Sequence, residues 1–514
     1  MTWNQIAAQL TLLPGYLGHH MLLSAAATAA GLVVCLPVAV MVTRVPALQW
    51  PVLTFAGVMQ TVPGIALLAL MVPLLGQIGT LPALIALFVY SMLPILRNTV
   101  AGILGVDASL TEAARGMGMT PTQMLFSVEL PLALPVIIAG VRTATVWVVG
   151  TATLATPVGA TSLGNFIFGG LQTQNPAAVL VGCVAAAGLA VILDQLIHLA
   201  ERAVATRNKR LGMVAATGLM LVTAGGLAPV MPGFAVGQPP VVVGGKTFTE
   251  QYILAGLIAR TMEEHGIRAE TRTGMGSTIL FDALANGNID CYVDYSGTLW
   301  ANIMKREDHP PRDSVIALLA RWLRAERHVH LIGPLGFENT YALAVRRSDA
   351  VKRHLHSIQD LAAVAPQLTI GSDYEFFSRP EWNSLRSAYG LNFMDQKVFD
   401  PSLMYQAIGG ESVDVISAYS TDGRIVEYDL VVLDDPRQAL PPYDAVLLLS
   451  GDAARRPEIV ESMAPLIHSI TDVTMREANN LVDVKHRDVP EAVEFLLRMA
   501  HSRAGTPTAP GGTQ

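Results

Sequence analysis

Charge is scarce in this chain, and most of it lies in one half. Only 15% of the 514 residues are Asp, Glu, Lys or Arg, while 51% are hydrophobic, a balance too apolar for an ordinary soluble protein. Before residue 241 there are eight basic residues (Arg44, Arg97, Arg115, Arg142, Arg202, Arg207, Lys209 and Arg210) and five acidic ones. That part nets +3 and the remainder −10, and an acidic second half repels a phosphate backbone, which argues against a nucleic-acid partner. The three cysteines, Cys35, Cys183 and Cys291, are too few for a disulfide framework. A nucleotide loop is also missing. "GGKT" at Gly244–Thr247 has the look of one, but Pro240 stands where a phosphate loop needs its first glycine, and proline has no N–H to offer a phosphate. The pairs His328/His330 and His354/His356 have no Cys or Glu at ligand spacing, so neither a metal nor a cofactor is expected.

What is abundant is long apolar runs. About 20 apolar residues cross a bilayer as a helix, and such runs are read at Leu22–Thr43, Val52–Leu75, Ile78–Leu96, Leu134–Thr156, Ala177–Leu199 and Met213–Met231. Arg44, Arg97 and the group Arg202, Arg207, Lys209 and Arg210 follow the first, third and fifth runs, while "GQIGT" and "GATSLGNFIFGGLQTQN" carry no charge. Basic residues stay on the cytoplasmic side, which predicts a multi-pass protein of the cell membrane with its N-terminus outside and its sixth span leading outward. Arg142, near the start of the fourth run, either marks a pathway or snorkels to the cytoplasmic interface. Pro63-Gly64 loosens the second run.

Between the third and fourth runs stands "LTEAARGMGMTPTQMLFSVELPLALPVIIAGVR". Thr111 suits the cap of a short helix from Glu112, Gly118 its end, Pro121 the start of a second helix and Pro131 its break. The order Glu-Ala-Ala, Gly118, then Val128-Glu129-Leu130-Pro131 resembles the EAA loop of binding-protein-dependent ABC importer permeases. That resemblance covers roughly residues 20 to 200. It implies an all-α, MetI-like permease core working as a dimer, and a separate cytoplasmic ATPase chain that receives the loop. Glu112, Ala113 and Gly118 are carried over as coupling residues within a loop spanning 97–131.

After residue 212 come the sixth span and an uncharged Pro/Gly-rich linker to residue 240. From Val241 short apolar strands alternate with helical stretches, the pattern of α/β layers on mostly parallel sheets. About 260 residues is large for one core, so two lobes facing a cleft are expected: 241–336 with 440–502, and 337–439. "SRAGTPTAPGGTQ" at the end reads as a disordered tail over 503–514.

The stretches "GGKTFTEQ", "GMGST", "NGNIDCYVDYSGTLW", "GFENTYALAV" and "AYSTDGRI" occur in this order. Together they resemble the substrate-binding proteins of the glycine betaine/carnitine/choline type, a two-lobed type II fold. With the permease ahead of it, the layout looks like the fused osmoprotectant-type importers, ergothioneine-importer relatives included. A membrane-anchored sensor of the same outline would have no use for a coupling loop.

A quaternary ammonium donates no hydrogen bond, so aromatic faces recognise it best. Ten of twelve tyrosines follow residue 240. The resemblance selects Tyr295, Tyr341, Tyr405 and Tyr419 as a cage, leaves Tyr292 and Tyr252 to packing, and assigns Gln251, Thr298 and Asn339 to the solute's carboxylate. Arg379 is suited either to a two-pronged contact with that carboxylate or to a surface salt bridge. The expected partners are a small zwitterionic or cationic solute, the ATPase, a second permease copy and lipid, with lobe closure about a hinge near Gly333–Asn339.

Overall fold

The computed structural model describes residues 3–173, 175–227, 240–306, 308, 312–440 and 442–504; the linker expected over 228–239 and the tail beyond 504 lie outside them. The chain divides into two compact units, Met1–Phe168 with Pro176–Val236, and Gly169–Asn175 with Gly237–Gln514.

The first unit is all helix. Five of its helices are long and apolar enough to cross a membrane, or six if a bent pair forms one span. The first helix, Trp3–Arg44, begins well before the run at Leu22. The second expected span is not one helix. Pro46–Thr61 and Gly64–Leu75 meet at 101°, because Pro63 lacks an N–H and forces Val62 into an extended conformation at ψ 128°.

The loop after Leu104 also differs in detail from its sequence reading. Its first helix, Ala108–Gly116, starts on Asp107, whose carboxylate accepts from Ser109 N–H at 2.8 Å. Thr111 is no cap; its hydroxyl bonds back to Ala108 O at 2.9 Å. An acidic side chain two residues ahead of a free N–H outcompetes a threonine already inside the turn. Gly118 turns the chain at φ +78°, a region that favours glycine. Thr120 and Gln123 then close a capping box over Pro121. Pro131 does not end this helix, which continues to Val158. A wide turn over Leu125–Glu129, with Leu130 N–H reaching back to Leu125 O, accommodates a residue that has no N–H of its own.

Arg142 is paired with acids of a neighbouring helix. It is held within the first unit by the helix Pro176–Ala205, with Nε 3.5 Å from Asp194 and Nη1 3.1 Å from Glu201 and 2.5 Å from His198. The three partners recur four and three residues apart, on one helical face.

The second unit contains ten strands: β1 (Val241–Gly244), β2 (Ala269–Arg272), β3 (Cys291–Tyr295), β4 (His330–Glu338), β5 (Tyr341–Arg346), β6 (Thr369–Ser372), β7 (Asp395–Val398), β8 (Val415–Tyr419), β9 (Leu430–Val432) and β10 (Asp444–Leu449). They form two five-stranded sheets, β2-β1-β3-β10-β4 and β7-β6-β8-β5-β9. In each sheet four strands run in one direction and a single strand, β10 or β5, runs against them. The sheets are thus mostly parallel in strand direction, as the alternation predicts, with one reversed strand where the chain crosses between them. The chain passes from the first sheet to the second between Glu338 and Tyr341 and returns between Val432 and Asp444. Central strands β3 and β10 are buried throughout, whereas edge strand β7 is exposed throughout, as apolar runs bounded by a polar edge require.

Candidate ligand-binding site

The site grows from strand ends and the turns that follow them. In β5 and β8 the antiparallel register sets Tyr341 opposite Tyr419, Leu343 opposite Ser417 and Val345 opposite Val415. Side chains alternate faces along a strand, so both tyrosines leave the same side of the second sheet. Tyr295 closes β3 in the first sheet, and Phe248 precedes the helix Thr249–Glu264 that follows β1.

These rings gather. Phe248 stacks on Tyr295 at 6.1 Å between centroids and on Tyr419 at 5.2 Å; Tyr419 lies 4.8 Å from Tyr341. Tyr341 also meets Phe376 at 5.2 Å and Tyr443 edge-on at 5.9 Å. Such offset and edge contacts suit the aromatic quadrupole. Burial foremost holds the phenols of Tyr295, Tyr341, Tyr419 and Tyr443 well above their ordinary range, so all four are protonated at any physiological pH.

Beside the rings lies Arg379, buried and therefore not part of a surface pair. Its guanidinium sits 5.5 Å from the Tyr341 centroid. Nη2 bonds Ser277 Oγ at 3.0 Å and the Glu375 carboxylate, and Nη1 is 3.7 Å from Glu381. Nε and Nη1 make no hydrogen bond with any described residue. The buried guanidinium therefore keeps N–H groups on two nitrogens without an acceptor, and an incoming carboxylate is a suitable one.

The sequence reading missed Glu250. This carboxylate, next to Gln251 in "FTEQ", is buried and accepts four hydrogen bonds: from Tyr295 at 2.5 Å, Thr421 at 2.6 Å, Asn339 Nδ2 at 2.9 Å and Asn479 Nδ2 at 3.0 Å. Burial pushes its pKa up, and these donors, Thr421 first, pull it back. Gln251 is committed to the same network, donating to Tyr295 Oη at 3.0 Å and accepting from Lys246 N–H at 3.2 Å. The structure thus brings Gln251, Asn339 and Tyr295 together around Glu250, while Thr298 is buried in the turn after β3. A small cavity beside them is lined by Phe248, Glu250, Asn339, Tyr419, Arg424 and Asp483, among others.

Tyr405 is not brought into the cluster. It packs with Ala344, Ile416 and Ala418, the residues of β5 and β8 that alternate with Tyr341 and Tyr419, so it covers the opposite face of the second sheet. Arg424 already occupies its ring face, 4.2 Å from the centroid. Phe248 and Tyr443 take part instead. Tyr443 stands just before β10, and its hydroxyl bonds Glu381 at 2.5 Å. Glu112, Ala113 and Gly118, expected as coupling residues, are all exposed on the loop of the first unit.

Comparison with known proteins divides the chain at the same place. The family described as the substrate binding domain of ABC-type glycine betaine transport systems matches residues 239–497. The family described as the binding-protein-dependent transport system inner membrane component matches residues 21–206. The ergothioneine transport permease/ergothioneine binding protein EgtU of Helicobacter pylori (strain G27) is 31% identical over 468 residues, covering 87% of this chain and 83% of that protein. The glycine betaine/carnitine/choline transport system permease protein OpuCB of Bacillus subtilis (strain 168) is 43% identical over 191 residues, 37% of this chain and 88% of that protein. Among solved structures, a crystal structure of a glycine betaine/carnitine/choline ABC transporter aligns at 28% identity with a TM-score of 0.44, covering 51% of this chain and 98% of that one.

Proposed function

This chain belongs to the fused permease and substrate-binding subunits of the glycine-betaine type of ABC importer, and from that premise we propose that its solute is a betaine, a methylated ammonium joined to a carboxylate. The observation that carries this reading is the ring cluster of Phe248, Tyr295, Tyr341 and Tyr419 beside a buried arginine two of whose nitrogens have no acceptor among the described residues. The rings attract the ammonium and Arg379 takes the carboxylate, while Gln251, Asn339 and Thr298 fix the surroundings. The lobes close about Gly333–Asn339, and the exposed residues Glu112, Ala113 and Gly118 dock a separate ATPase whose turnover drives a permease dimer. The binding unit works outside the cell membrane.

Ergothioneine, itself a betaine, is the second reading, favoured by the 31% identity to EgtU across both halves of the chain. A thermal-shift and titration screen of the purified full chain against glycine betaine, proline betaine, carnitine, choline and ergothioneine tests both readings. Binding of at least one carboxylate-bearing member is expected. No response to any of the five, with tight binding of a sugar or a plain amino acid, would overturn the proposal.

A further inference from the structure

Two phenols of the ring cluster end on buried carboxylates. Tyr295 donates to Glu250 Oε1 and Tyr443 to Glu381 Oε1, each at 2.5 Å, and all four residues are buried. Amide groups brace the acids from behind: Asn339 and Asn479 on Glu250, and Asn302 on Glu381 at 2.8 Å. Each amide directs N–H at the carboxylate, so the acid's oxygens serve as acceptors to amide and phenol alike. A phenol giving a short, charge-assisted hydrogen bond takes up part of its acceptor's negative charge. The ring face then becomes more negative and attracts a cation more strongly. One of the chain's own cations already lies by such a face: Lys246 Nζ is 5.1 Å from the Tyr295 centroid.

We infer that Glu250 and Glu381 are specificity-determining positioning residues that act through Tyr295 and Tyr443, selecting a solute with permanent positive charge over a neutral solute of the same shape. The inference rests on the proposed betaine reading and deepens it. An ordinary aromatic pocket would accept any branched apolar head group by burial alone. Carboxylate-backed phenols add a preference that depends on the nitrogen's charge and not on its methyl groups.

Isothermal titration of the full chain in detergent tests this with two pairs: glycine betaine against 3,3-dimethylbutanoate, and choline against 3,3-dimethylbutan-1-ol. In each pair a carbon replaces the charged nitrogen. The variants are Glu250→Gln, Glu381→Gln and Tyr295→Phe, the last keeping both ring and carboxylate. The wild-type chain is expected to favour each cation, and each variant to reduce that preference roughly fivefold or more while changing affinity for the isostere little. Equal losses for cation and isostere would mark the acids as purely structural and overturn the inference. So would an unchanged preference in the variants. Should Glu250→Gln fail to fold, the other two variants decide. Failure of the wild-type chain to bind any quaternary ammonium would sink the betaine reading and this inference together.

Discussion

Arg44 and Glu129 form a two-point ion pair between the end of the first long helix and the wide turn Leu125–Glu129 of the loop proposed to meet the ATPase. Nη1 donates to Oε1 at 3.2 Å, Nη2 bonds Oε2, and the carboxylate is buried whereas the arginine is half exposed. Removing the arginine leaves a buried charge without its partner, which costs more than the pair itself contributes. Arg44→Ala is therefore expected to loosen the loop and lower solute-stimulated ATPase activity of the reconstituted importer, leaving solute affinity unchanged. The exchange Arg44→Glu with Glu129→Arg restores part of the coupling. A fall in affinity matching the fall in coupling would assign the pair to general stability.

Arg379 and Tyr341 should separate by ligand. Arg379→Gln removes the guanidinium proposed to meet the carboxylate, so glycine betaine is expected to bind at least tenfold more weakly, the scale of one charge-assisted bond of about 1.5–3 kcal/mol. Choline, which has no carboxylate, should lose little. Tyr341→Ala should weaken both about tenfold or more, whereas Tyr405→Phe, on the opposite face of the sheet, should leave both unchanged. Titration of the six combinations checks this. An equal loss for both ligands in Arg379→Gln would remove the arginine's role at the carboxylate.

Period and register decided what was legible in the sequence. The membrane runs and the strand–helix alternation follow from local pattern, the tyrosines of "NTYAL" and "SAYST" are selected by the family resemblance, and the register of β5 on β8 sets Tyr341 beside Tyr419. Parity also removes Tyr405, but only once the helix Pro401–Gly409 is known to cover the other face. Glu250 was hidden because a buried carboxylate has no sequence signature; its donors Tyr295, Asn339, Thr421 and Asn479 come from four distant segments. The signal was present in "FTEQ", where an acid stands in the first turn of a helix otherwise buried at that end. Likewise, Pro63 was visible, but the size of the bend, 101°, is a three-dimensional angle that no residue pattern states.

Asp483 gives the second unit a pH dependence of definite sign. It is buried, accepts from Thr249 at 2.5 Å, and burial raises its pKa from 3.8 to about 7 against the pull of Arg424. The folded chain thus holds a proton that the unfolded chain releases. Its contribution to stability is complete below about pH 4 and is lost as pH rises toward 7. Protection of the helix Asp472–Asp483 against hydrogen exchange should therefore decline, relative to the helix Val489–Ala504, between those limits. Asp483→Asn should flatten the decline. A relative protection that rises with pH in the wild-type chain would reverse the assignment.

Gly297 sets how closely Tyr443 approaches the turn after β3. A Cβ there would lie 2.6, 2.7 and 2.8 Å from three atoms of the Tyr443 ring, far inside contact distance. The ring has nowhere to go: its hydroxyl is fixed on Glu381, its edge rests against Tyr341, and it is 1% exposed. Gly297→Ala must therefore push Tyr443 toward Tyr341 or spread the turn, at a cost of about 1–3 kcal/mol. Both routes disturb the ring cluster, so the expected result is a lower unfolding temperature together with weaker ligand binding. Tyr443→Leu in the same chain removes the obstructing ring, so the double variant should lose less stability than the two single changes summed. Thermal unfolding of the four chains, with and without ligand, measures this coupling. Strict additivity would mean that the glycine answers to some other neighbour.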